Sequence, residues 1–104
     1  MNSEIILVVS LFIHPGREVE FRQFETEAAR IMQKYGGYIQ GVIRPIVSVP
    51  AEPPPHEIHV VSFPSMERFE AYRKGDGLAE LAPLRQSAIA RTAIVIGEEG
   101  EPYR

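Results

Sequence analysis

The sequence predicts an α+β domain, ordered strand, helix, strand, strand, helix, strand, with one four-stranded antiparallel sheet. Three stretches carry this prediction. Ile5 to Ile13 is almost wholly aliphatic, Arg17 to Tyr35 repeats apolar residues at helical spacing, and His56 to Leu84 reads as a strand, a corner and a broken helix that folds back over that strand. At 104 residues the chain suits one domain with one core. Residues 1–97 are expected to form it, and residues 98–104 an acidic tail ending in Pro-Tyr-Arg.

In chain order, Ile5 to Ile13 is broken only by Ser10 and fits a strand covered on both faces. His14, Pro15 and Gly16 turn the chain into the first helix. Phe21, Phe24, Ala28, Ile31, Met32 and Tyr35 form its apolar stripe, and Lys34, Gly36 and Gly37 end it. The second strand is expected over Tyr38 to Val49, with Gly41 and the Arg44-Pro45 pair marking a bulge or an edge. Prolines at 50, 53, 54 and 55 stiffen the connection that follows.

His56 to Phe63 is the third strand, stopped by Pro64, which has no amide to give a ladder. Glu57, His59, Val61 and Phe63 share one of its faces; His56, Ile58, Val60 and Ser62 share the other. Ser65 should cap the next helix, whose Met66, Phe69 and Tyr72 face the sheet. Arg73, Lys74 and Gly75 should end it, the glycine accepting positive φ. Asp76 is expected to cap a second piece, and Pro83 to sit at the start of a third. Thr92 to Gly97 is the fourth strand.

Composition narrows the function classes. A net charge of −3 gives no electrostatic footprint for nucleic acid or for an anionic membrane. The third strand also lacks the stacking aromatics and basic residues of RNA-recognition sheets. Without cysteine there is no disulfide framework, thiolate metal site or thiol nucleophile. The apolar run at the start lacks a basic leader and cleavage site and is too short to span a bilayer, so a cytoplasmic protein is expected.

Two helices cover only one face of such a sheet. The other face carries roughly ten side chains, many large and aliphatic; at ~1.5–3 kcal/mol each their burial outweighs an association cost of ~4–15 kcal/mol. A homodimer paired sheet to sheet is therefore expected, since one self-complementary surface serves both copies.

The run FPSMERFEAYRKGDGLAELAPLRQSA, with the apolar strand ending in Gly-Glu and the junction KYGGYI, resembles domain of unknown function family 1330. That family is similar to the dimeric α/β-barrel superfamily, which includes antibiotic-biosynthesis-monooxygenase-like and muconolactone-isomerase-like proteins. The resemblance covers most of the chain; the connection SVPAEPPP and the helix start His-Pro-Gly-Arg depart from the pattern. It implies a small homodimer, with cofactor-independent monooxygenase- or isomerase-like chemistry on a small organic molecule. The alternative is a non-catalytic module for ligand binding or assembly.

Candidate chemistry centres on His59, placed mid-strand, which suits a general base or ligand contact; it equally suits a buried histidine with satisfied nitrogens or one at a dimer seam. Arg44 offers a planar fork for a carboxylate, or is an exposed edge arginine. Tyr38, Tyr72 and Arg85 are the remaining candidates to line a ligand cleft between helices and sheet. No metal site is expected: His56 and His59 point to opposite faces, and Glu57 with His59 makes only two ligands. Gly-Asp-Gly at 75–77 is a helix break, not a phosphate loop.

Overall fold

The computed structural model describes residues 4–104. The aliphatic run forms β1 (Ile5–Ile13), followed by α1 (Glu18–Gln33), β2 (Tyr38–Ile43), β3 (Glu57–Phe63), α2 (Met66–Lys74), α3 (Asp76–Ala79), α4 (Ala82–Ala88) and β4 (Ile89–Gly97). The strands form one sheet in the order β2-β3-β1-β4, and every neighbouring pair is antiparallel. β1 and β3 thus occupy the interior of the sheet, and β2 and β4 its edges.

Odd-numbered residues of β1 and β3 face the helices. Leu7, Val61 and Phe63 pack with Met32, Phe69 and Tyr72, while Leu11 packs with Phe21, Phe24, Ala28, Ala88 and Ile89. On the opposite face Val8, Val95, Tyr38 and Ile43 are exposed. The Cα envelope measures 44 × 40 × 16 Å, as two layers require.

Several boundaries differ from the sequence reading. β2 ends at Ile43 rather than Val49, because Pro45 gives no ladder donor and the chain leaves the sheet with Arg44. The bulge expected at Gly41 is present, as a register shift between Ile39 and Gly41. β4 begins at Ile89, directly after α4, three residues before Thr92. Ser65 caps α2, its Oγ accepting from the Arg68 amide at 3.1 Å.

The glycines divide by role. Gly36 has φ 81 and ends α1 as a left-handed residue should. Gly75 does not; its φ is −76, and a Cβ there would lie 2.8 Å from the Tyr35 hydroxyl, so closeness rather than conformation requires the glycine. Asp76 is the first residue of α3 and makes no side-chain cap, that position being held by Gly75. Pro83 lies in the first turn of α4, where its missing amide costs no helical bond.

Candidate functional site

A cavity of about 450 Å³ lies between the helices and the sheet. Its walls are mainly aliphatic and aromatic, and its polar lining comes from Glu25, His59, Tyr72, Arg73, Arg85 and Thr92. A volume of this order suits a small organic molecule.

His59 is 4% exposed and stands on β3, an interior strand, so the sheet fixes its backbone on both sides. Its Nε2 is 2.8 Å from Glu57 Oε1, two residues away on the same strand face. Glu57 in turn accepts a hydrogen bond on Oε2 from Arg44 Nε at 3.0 Å. On the other side of the ring, Nδ1 lies 3.5 Å from Glu25 Oε2, presented by α1. Four ionisable groups therefore form one row, from Arg44 at the surface through Glu57 and His59 to Glu25 at the cavity.

The environments of the two carboxylates differ. Burial pushes Glu57 up, but hydrogen bonds from His59 and Arg44 outweigh it and hold the carboxyl below its ordinary value. Glu57 is therefore an acceptor only, which places a proton on His59 Nε2. Burial pushes Glu25 above its ordinary value, against the pull of His59. With Nε2 committed to Glu57, Nδ1 of His59 faces the Glu25 carboxyl at the cavity wall. Burial also raises the Tyr72 hydroxyl, helped by the Glu25 carboxylate, so Tyr72 is a neutral donor there. No buried side-chain polar atom among the described residues lacks a partner, and none of their His, Asp and Glu groups could hold a metal ion.

The structure brings three of the sequence candidates together: His59, Tyr72 and Arg85 all line the cavity. Arg44 does not line it; its fork is on the protein's own Glu57, and its side chain is 78% exposed. Tyr38 does not line it either. It pairs in register with Ser62, is half exposed, and belongs to the sheet face turned away from the helices.

Glu25 is the residue that sequence reasoning missed. It follows Phe21 by four positions and precedes Ala28 by three, so it sits within the inward stripe of α1. An acid inside an apolar stripe was the available signal.

No family model matches the chain, and no curated protein matches it. Solved structures do. A protein of unknown function from Rhodopseudomonas palustris superposes with a TM-score of 0.82 at 12% identity, over 98% of this chain and 86% of that one. SnoaB, a cofactor-independent oxygenase from Streptomyces nogalater, gives 0.68 at 12%, over 96% of each chain. A dabb family protein with a ferredoxin-like fold from Mesorhizobium loti gives 0.67 at 14%, over 94% of this chain and 98% of that one. At these identities the likeness is one of architecture, and the chain has a ferredoxin-like α+β fold.

Proposed function

We propose that this chain is a homodimeric, cofactor-independent enzyme that moves a proton on a small organic molecule, with His59 as the acid–base group. The observation that carries the reading is the orientation of His59. Glu57 fixes one ring nitrogen, leaving the other with Glu25 at the wall of a cavity of about 450 Å³. Proton transfer is the step shared by the two chemistries of interest. Isomerisation moves a proton between carbons, and oxidation by dioxygen without a cofactor proceeds from an electron-rich, deprotonated substrate. A likeness in fold to SnoaB supports the second as a class. The likeness to domain of unknown function family 1330 rests on the two residue runs quoted above, and the cysteine-free composition supports a cytoplasmic setting. Among the described residues no helix is long and apolar enough to cross a membrane.

The test is deuterium wash-in from heavy water into compounds that raise the melting temperature of the protein. Positioned acid–base catalysis contributes about 10²–10⁴-fold, so His59→Gln should slow wash-in at least hundredfold while still binding. If bound compounds take up no deuterium with the wild-type protein, the chain is a binding module and the catalytic reading fails.

Pairing through the bare sheet face rests on the exposure of Val8 and Val95 on that side. Val8→Glu should convert a dimer to a monomer in sedimentation velocity. A wild-type protein that sediments as a folded monomer at micromolar concentration overturns the dimer.

A further inference from the structure

The two arginines of the cavity wall are not equivalent. Arg73 faces Glu70 at 3.6 Å, a carboxylate it shares with Lys74, and lies over the Phe69 ring, 6.0 Å from its centroid. Arg85 has no such partner. Among the described residues the one hydrogen bond of its guanidinium goes to a neutral oxygen, Thr92 Oγ1, at 3.1 Å. That bond ties α4 to β4 and fixes the arginine on the lining of the cavity. It lines the same cavity as Glu25, His59 and Tyr72.

A guanidinium held by a hydroxyl keeps most of its donors free, in a planar fork that matches a carboxylate. Among the described residues Arg85 makes no close ion pair, so its charge can balance one negative charge on a ligand. The aliphatic and aromatic remainder of the wall disfavours a polyhydroxylated or multiply charged ligand. Resting on the reading of the cavity as a substrate site, we propose that Arg85, positioned by Thr92, anchors the carboxylate of a monocarboxylic acid whose apolar body fills the cavity and whose reacting atom lies at His59. Arg85 is then a specificity determinant, and Thr92 its positioning residue.

Calorimetric titration tests this with matched probes: octanoate and 4-phenylbutanoate, each against its primary amide. The acids should bind the wild-type protein roughly tenfold to hundredfold more tightly than the amides, as a charge-assisted hydrogen-bonded contact implies. Arg85→Gln should erase that preference, lowering acid affinity far more than amide affinity, and Arg85→Lys should restore part of it. Thr92→Val should weaken acid binding alone. His59→Gln should keep the preference, which separates the anchor from the acid–base group. Arg85 is exposed at the surface of α4, so its replacement does not threaten the fold. If acids and amides bind the wild-type protein equally, the carboxylate assignment fails and the cavity reading stands. If the preference survives Arg85→Gln, the role of Arg85 fails. If none of the four probes binds, both the substrate-site reading and the anchor fail together.

Discussion

Replacing Glu57 by Gln removes the charge at the centre of the buried row while keeping the shape of the side chain. Glu57 accepts two hydrogen bonds that are at stake, one from His59 Nε2 at 2.8 Å and one from Arg44 Nε at 3.0 Å. The first lies in the interior with a charged acceptor, and such a bond contributes ~1.5–3 kcal/mol. The second involves an arginine that is 78% exposed, so it follows the surface ion-pair range of ~0–1 kcal/mol. The amide keeps one acceptor oxygen, so the expected loss is about 2–3 kcal/mol at pH 7, or roughly 10–20 °C in melting temperature. Urea unfolding gives the free energy directly. The pH dependence adds a sign. Glu57 is held below its ordinary value of 4.5, so its contribution is present above pH 4.5 and lost as the pH falls through the lower folded value. The difference between wild type and variant should therefore shrink in strongly acidic buffer. Arg44→Gln should cost no more than ~1 kcal/mol. Equal losses for Glu57→Gln and Arg44→Gln, or a Glu57→Gln penalty unchanged in acid, would refute the placement of Glu57 as the interior partner of His59.

Three further substitutions probe other parts of the molecule. Glu25 is shifted the other way, so its contribution is present below pH 4.5 and lost as the pH rises through its raised folded value. Glu25→Gln should therefore gain on the wild-type protein as melts are taken from pH 4 to pH 8, and a gap that widens against the variant would count against a buried acid. At Gly37 an added Cβ would lie 2.5 Å from Phe63 Cε1 and 2.6 Å from Met32 Cγ. Gly37→Ala should cost ~1–3 kcal/mol by overpacking. Gly41→Ala, with nothing within 4 Å of the added atom, should stay within ~0.5 kcal/mol in the same urea assay.

What could be read from the residues follows from what periodicity encodes. Alternation along β3 placed Glu57 and His59 on one face, and helical spacing placed Phe69 and Tyr72 against the sheet. Glu25 escaped because a search for an apolar stripe passes over the acid lying inside it. The contact between Arg44 and Glu57 spans the proline-rich connection, whose path follows no repeat, so the sequence offered no way to bring its two ends together. Tyr38 was misplaced for a related reason. β2 is a short edge strand with apolar residues on both sides, and only its register with β3 tells the two sides apart. Gly75, read from the sequence as a residue of positive φ, has φ −76 and instead sits close to the Tyr35 hydroxyl, a tertiary contact that no local pattern encodes.

The row of charges has one wet end and one dry end: the Arg44 side chain is 78% in water, the His59 side chain only 5%. Electrolyte can therefore reach the guanidinium but not the imidazole. Raising sodium chloride from 0.1 M to 1 M shortens the screening distance from about 10 Å to about 3 Å. That loosens the outer clasp while the inner bond of Glu57 to the ring persists. One carboxylate thus joins a bond that the ionic medium reaches to one that it does not.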